Sequence, residues 1–531
     1  MGTCIEVPNR AMRCLAAMTV VLLGGFNQNN FVVHAAVHPY NGEYFYSVGD
    51  AFIFRGGREG MYESKSEAVD EWGTVAKGIN NGKSYIRFSK VQFYRPEAVA
   101  AEYSQTDEDT GLIQAVVFEV HDRDRIGYTT ADGMGRRYCC TKELVAKTRC
   151  FPGRLIVQPR AGNEDWPWQT DIYFTDNDTV AYAVDEAVTI TDTGMFYLWF
   201  VICDPNLAGV TISGQTSWKN PGGYLPGMMA SYLPFFGMMS ISYVVVGFLW
   251  MAQYIRKWRE IQPLQIFITA VIALGMVEMS TWYFDYVNFN NTGFRPYDIT
   301  LWAVVIGSAR KCISRMLLLI VAMGYGVVRP TLGGLTKKVI ALGAAYFIAA
   351  CTLDVMTNVG TIDDLTSSAR IFLVLPVAVL DAVFILWIFT ALSKTLAQLQ
   401  TRRQTAKLEL YRRFTNTLAV AVVISVAWIG YEMYFKVTDQ FNERWQSDWI
   451  TGAFWHVLNL AINVVICFLW RPSEMAMQYA YGADAVDDLD LEDVPLKPTV
   501  NPTRPTPVGQ PPKGMNTDVF SIDDDEEGKM E

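Results

Sequence analysis

Histidine is scarce in this 531-residue chain. It has four, and only His456 falls inside an apolar segment, so a three-histidine zinc centre within a membrane bundle cannot be assembled. Charge is scarce too, at 18% of residues, and no soluble portion is basic, which argues against a nucleic-acid partner. The formal charge of −10 is local: from Arg471 to Glu531 there are 14 acids and 5 bases, so the rest is nearly neutral. The seventh apolar segment has no lysine, which excludes a retinal Schiff base there, and no Ser/His/Asp set suggests membrane hydrolysis. Nothing in the pattern calls for a cofactor or for enzymatic chemistry.

What is abundant is apolar and comes in blocks. Seven runs approach the ~20 residues that span a bilayer: Met228–Met251, Pro263–Tyr286, Leu301–Val328, Val339–Val359, Ile371–Leu392, Phe414–Phe435 and Ile450–Trp470. Twelve Lys and Arg lie in the loops after the odd-numbered runs, against four, Arg295, Arg370, Lys436 and Arg444, after the even-numbered ones. By the positive-inside rule the odd loops are cytosolic, the N-terminal region lumenal and the C-terminus cytosolic.

Ahead of the bundle, Arg10 and Arg13 precede the apolar run Cys14–Gly25, too short to span. With Val33-His34-Ala35 offering cleavage near Ala35 or Ala36, residues 1–36 read as a signal peptide. Residues 37–223 alternate short β-branched and aromatic runs with turn clusters, the pattern of a β-sandwich. The runs are Tyr44–Phe54, Ser84–Tyr94, Leu112–Val120, Arg154–Val157, Asp171–Phe174, Gly194–Ile202 and Val210–Ser213. Cys139, Cys140, Cys150 and Cys203 fall in this region and predict two disulfides. Adjacent cysteines rarely bridge, which leaves two pairings, both joining the 139/140 corner to Cys150 and Cys203. Asn177-Asp178-Thr179 is a glycosylation sequon suited to a lumenal loop; Asn290-Asn291-Thr292 is a second, close to the membrane. The bundle is assigned residues 224–475, and residues 476–531 read as a disordered acidic cytosolic tail, Pro-rich from Pro502 to Pro512, where Ser521 precedes an acidic run.

The third run carries Arg310, Lys311 and Arg315 near its centre. A cation at that depth costs roughly 2.5–3.5 kcal/mol on insertion scales, so it must face protein or water and find partners. Lys311 and Arg315, four apart, share a helix face. The available acids are Glu278, Asp285, Asp354, Asp381 and Glu432, and His456, Asn459 and Asn463 share one face of the seventh run. Counting ~1.5 Å per residue from each lumenal end predicts that the stripe pairs mainly with Glu278 and Asp381. The same count puts Asp285, Asp354 and Glu432 at a cavity mouth. Such pairs can simply hold helices in register. Alternatively they line a cavity in which the basic stripe holds a lipid phosphate and the acids an amine, or in a sharper version a proton or cation path. Receptor motifs are missing: the third run ends in Gly324-Tyr325-Gly326-Val327-Val328-Arg329-Pro330 and the seventh in Trp470-Arg471-Pro472.

Several stretches resemble a known family. Gly194-Met195-Phe196-Tyr197-Leu198-Trp199-Phe200 and Gly214 to Pro226 resemble the end of a GOLD-type β-sandwich entering its first helix. Gly275-Met276-Val277-Glu278, Tyr283-Phe284-Asp285-Tyr286 and Ala309 to Arg315 resemble helices two and three of the GOLD-domain seven-helix family; Ala453-Phe454-Trp455 and Leu469 to Ser473 resemble its seventh. The similarity covers most of residues 40–475 and points to the transmembrane protein 87 branch, within the lung seven-transmembrane receptor superfamily. It implies a Golgi or endosomal protein with a lumenal GOLD domain and a Wntless-like bundle, linked to endosome-to-Golgi retrograde transport. Implied partners are membrane lipids such as phosphatidylethanolamine, membrane or secreted protein cargo, and trafficking machinery on the tail. Carried over, Glu278, Arg310, Lys311 and Arg315 line a phospholipid-sized cavity. The branch also implies the alternative of a cation channel. Two departures weaken that: Met279 stands where a lysine is common, and Thr451-Gly452 where an acidic pair is expected.

Overall fold

In the computed structural model, residues 36–64, 82–103, 111–129, 135–148, 150–175, 178–257, 263–325, 328, 333–358, 367–439 and 441–471 are described. Residues 1–35 of the expected signal peptide, Asn177 and the expected acidic tail from residue 476 lie outside these.

Among the described residues the N-terminal domain has twelve strands: β1 (Val37–Tyr44), β2 (Tyr46–Val48), β3 (Ala51–Met61), β4 (Tyr85–Tyr94), β5 (Leu112–Glu119), β6 (Tyr128–Thr129), β7 (Arg136–Arg137), β8 (Trp168–Tyr173), β9 (Val180–Tyr182), β10 (Ala187–Thr189), β11 (Gly194–Ile202) and β12 (Thr211–Lys219). One antiparallel sheet runs β1-β12-β4-β10, with β9 also on β4; the other runs β2-β3-β11-β5-β8. Their inner faces meet around Phe54, Phe88, Phe93, Phe196, Phe200 and Trp218, all buried. β4, β11 and β12 send alternate residues into this layer, the period-2 pattern of a sandwich.

β5 is buried on both faces, because a disulfide-pinned segment covers the outside of its sheet. Val116, Phe118 and Val201 pack there against Ile126, Cys139 and Leu155. Cys139 bridges Cys203 and Cys140 bridges Cys150, one of the two pairings left open by the sequence. The run Tyr44–Phe54 is not one strand: Gly49, at φ 66°, turns the chain between β2 and β3. Arg154–Val157 is not a strand either. It makes only isolated bridges, Leu155 to Cys139 and Val157 to Ile126, as part of that cover.

Seven long helices follow among the described residues: α1 (Tyr232–Arg256), α2 (Pro263–Thr292), α3 (Tyr297–Ala322), α4 (Leu335–Asn358), α5 (Ser367–Thr401), α6 (Thr405–Thr438) and α7 (Trp445–Leu469). Most outrun their apolar stretches, since backbone hydrogen bonding continues into polar flanks where water is available. Among the described residues, six helices are long and apolar enough to cross a membrane; α3, with its three central cations, is the other long one. Fourteen of its 26 residues are buried, against α2, α4 and α5. By contrast α5 and α6 expose Phe372, Leu386, Val423 and Val426, an outward apolar face suited to lipid.

The sandwich joins the bundle through close packing. Trp445, at the start of α7, is buried with Val120 and Met195. Gly60 makes this possible, since a Cβ there would lie 2.5 Å from the Trp445 ring. The Ala36 N–H donates to Gly293 O at 3.0 Å, and Ala36 is fully buried, so this residue packs at the junction. Asn290 closes the other side: its carbonyl accepts from Leu225 N at 3.2 Å and its amide donates to Gly222 O at 3.0 Å.

Candidate functional site

α3 meets an acid on three different helices. Arg310 faces α2, where its guanidinium holds both carboxylate oxygens of Glu278, with Nη2 to Oε1 at 3.2 Å. Both side chains are at most 2% exposed. Gly307 lets the acid reach across, since a Cβ there would stand 2.9 Å from Glu278 Oε1. Lys311 Nζ lies 2.7 Å from Asp354 Oδ2 on α4, an oxygen that also accepts from Ser308 at 2.9 Å. Arg315 pairs with Asp381 on α5 and stacks on the Tyr346 ring with 4.6 Å to its centroid.

These pairs border a cavity of about 730 Å³, within the range of small-molecule and cofactor sites. The Lys311–Asp354 and Arg315–Asp381 side chains keep 22–32% exposure beside it, whereas Arg310–Glu278 is sealed. Along α7, Asp448, Gly452, Trp455, His456 and Asn459 face the cavity, a helical face by spacing. Tyr232, Phe236, Trp282 and Tyr286 form an aromatic wall: Tyr232 stacks on Tyr286 at 5.7 Å and Phe236 on Trp282 at 5.9 Å. Met228 and Met229, from the short helix Gly227–Ala230, close the end nearest the sandwich.

Of the residues singled out from sequence, Glu278, Arg310, Lys311, Arg315, Asp381, His456 and Asn459 all border this cavity. The predicted mouth does not form as expected. Asp354 lies beside Lys311, so the stripe has three partners and not mainly two. Asp285 is fully buried behind the wall, accepting from Arg295 Nε at 2.9 Å and Thr300 Oγ1 at 2.6 Å. Glu432 pairs with Lys436 on its own helix at 2.6 Å and does not line the cavity. Asn463 is buried outside it.

Sequence reasoning missed Arg295, Asp448 and the aromatic wall. Asp448 could have been found by extending the His456–Asn459 face two turns back. Arg295 sits in a connecting segment, where spacing carries no such signal. Among the described residues no group of three His, Cys, Asp or Glu could hold a metal.

A β-sandwich seated on long apolar helices, with a charged cavity inside them, defines a multi-pass membrane protein of the α-helical class. Residues 231–477 match the family model described as GOST, seven transmembrane domain. Over that stretch the chain is similar to the GOST seven-transmembrane family, and its relatives include the transmembrane protein 87 branch. It is 35% identical to human transmembrane protein 87B over 285 residues, 54% of this chain and 51% of that one. It is 34% identical to transmembrane protein 87A of Xenopus tropicalis over 283 residues, 53% and 51% of the two chains. Against membrane protein PTM1 of Saccharomyces cerevisiae the identity is 26% over 329 residues, covering 58% and 61%. The chain spans about half the length of the transmembrane protein 87 relatives it matches.

Proposed function

We propose that the helical bundle is a binding site for a phospholipid headgroup, without covalent chemistry, in a protein that supports endosome-to-Golgi retrograde transport and sorting. On this reading the β-sandwich is lumenal, where it meets membrane or secreted cargo, and the C-terminal tail meets trafficking machinery in the cytosol. The observation that carries it is a void of about 730 Å³ directly beside the Lys311–Asp354 and Arg315–Asp381 pairs. Pairs that served only to hold helices in register would be sealed, as Arg310–Glu278 is. Partly exposed pairs can exchange part of their attraction for a phosphate or an ammonium group at modest electrostatic cost, because both charges are already present.

The test fills the cavity without touching an ion pair. Val377 lines it from α5 and is only half-buried, so Val377→Trp occupies the space from one side. Lipid extracted from purified wild-type protein should contain a retained phospholipid that the variant lacks at equal thermal stability. Cells depleted of the protein should deliver an endosome-to-Golgi cargo slowly, with rescue by the wild type and not by Val377→Trp. A wild-type protein that carries no phospholipid overturns the binding site.

A further inference from the structure

The far end of α5 and α6 carries charge that the cavity does not use. α6 approaches the sandwich through the loop after it, where the Tyr197 hydroxyl donates to Phe441 O at 3.1 Å. Its other end, Thr405, lies about 50 Å away along the helix axis. The tip formed there by residues 393–413 has six bases and one acid, Glu409. Arg413, four residues on, already holds that acid. Lys394, Arg402, Arg403 and Arg412 are exposed and make no ion pair among the described residues.

The tip is pinned to the bundle, so these cations have fixed places. α3 ends at Ala322 and leaves its last carbonyls without intrahelical donors. Thr395 Oγ1 donates to Ala322 O at 2.8 Å, and the Tyr411 hydroxyl to Val321 O at 3.1 Å. Leu399, Tyr411 and Phe414 are buried, and Phe414 meets Trp470 edge-on at 4.9 Å. α5 stops in a Schellman turn: Gln404 N–H donates to Leu399 O and Arg403 N–H to Gln400 O, both at 3.2 Å. The left-handed position of that turn, at φ 56°, is Arg403. Glycine is the usual residue there, so a cation stands where the backbone alone would favour no side chain.

We propose that this tip is a surface site for a phosphoinositide, a membrane lipid with a phosphate monoester on its inositol ring. The site is separate from the cavity and does not rest on the reading given for it. Lys394 and Arg412 lie two residues from Leu392 and Phe414, where the apolar runs end, and so at the height of the lipid phosphates. Arg402 and Arg403 start about 12 Å further out along α5. The headgroup layer on one side is only about 5–8 Å thick. A lipid with a single phosphate meets the inner cations alone. A phosphoinositide meets both sets, with its diester at one height and its ring phosphate above it. That monoester carries nearly two charges and three acceptor oxygens, which guanidinium groups bind in pairs.

The test uses the full chain in phosphatidylcholine nanodiscs containing either phosphatidylinositol 4-phosphate or phosphatidylserine, matched for total charge. Bound lipid is read by native mass spectrometry. Nanodiscs present both leaflets, so the outcome does not depend on which side of the membrane the tip faces. Wild type should retain the phosphoinositide over phosphatidylserine by about tenfold or more. Arg403→Gly removes one cation and suits the turn. It should keep or raise the melting temperature while lowering phosphoinositide retention about fivefold. Adding Arg402→Gln and Arg412→Gln, both on exposed residues, should lower it on the order of a hundredfold. Equal retention of the two lipids by wild type overturns the site, as does retention that survives all three substitutions. Loss of the phosphoinositide on Val377→Trp would assign the lipid to the cavity and overturn the tip. Displacement of the phosphoinositide by an oligoglutamate peptide at equal concentration would also overturn it, making an acidic protein segment the partner.

Discussion

Arg310 and Glu278 hold each other across α2 and α3 with no more than 2% of either side chain exposed. An ion pair this enclosed is stabilising only while both partners remain, because each has been stripped of water to make it.

Glu278→Gln should therefore be far worse than removal of the whole pair. It leaves Arg310 buried and uncompensated, a loss of about 3–5 kcal/mol. Glu278→Leu combined with Arg310→Met should recover most of it. Melting temperatures in detergent for Glu278→Leu, Arg310→Met and the double variant form the cycle that measures the coupling. Equal destabilisation by single and double variants would refute the sealed-pair account.

The seat of the sandwich on the bundle depends on Trp445 fitting over Gly60. Gly60→Val places a branched side chain where a Cβ would already stand 2.5 Å from the indole. We expect it to loosen the junction, and Trp445→Ala to cost about 3–5 kcal/mol. Limited proteolysis should then release the N-terminal domain, while the disulfides within it stay intact.

Glu59 predicts a pH dependence in the sandwich. It is 4% exposed, its Oε1 lies 2.9 Å from His38 Nε2, and burial, opposed in part by His38, holds its carboxyl above the usual carboxylate range. The folded state thus favours the protonated acid. Its contribution is full below the unfolded value of about 4.3 and is lost as pH rises through the higher folded value. Glu59→Gln should gain stability over wild type as pH increases from about 4 towards neutrality. A difference in melting temperature that stays flat with pH would contradict this.

The two disulfides should not be equivalent. Cys139–Cys203 closes 64 residues and Cys140–Cys150 closes 10. Loop entropy assigns about 4 kcal/mol to the first and about 3 to the second. Paired Cys→Ser replacement of 139 and 203 should lower the melting temperature more than replacement of 140 and 150. It also removes the clamp that lays Leu155 on Val116 and Phe118.

Asn290 heads a sequon, yet its amide is bound at both ends within the sandwich–bundle junction. Asn290→Gln should reduce stability and leave the glycosidase-sensitive mobility of the protein unchanged. Asn177→Gln should change that mobility.

Much of the architecture was legible. β11 and β5 appear in the sequence almost to the residue, because each is an uninterrupted β-branched and aromatic run. β9 and β10 were not visible, being three residues each and held only by β4. The cysteine corner pointed to its partners, but only the placement of Leu155 over the second sheet chose between the two pairings. In the bundle, helical spacing identified the cavity-facing residues of α3 and α7, since a 3.6-residue period is a property of the chain itself.

What the chain determined alone was therefore local: apolar length made the helices, alternation made the strands, and three cations in α3 demanded partners. The partners were decided by packing. Counting residues from a helix end measures depth along one axis, but says nothing of tilt or of which neighbour faces which. So Asp354, counted to the mouth, lies against Lys311, Asp285 is sealed by Arg295, and Glu432 stays on its own helix. That Asp448 lines the cavity is likewise decided only in three dimensions, because which side chains share a space depends on how the helices pack.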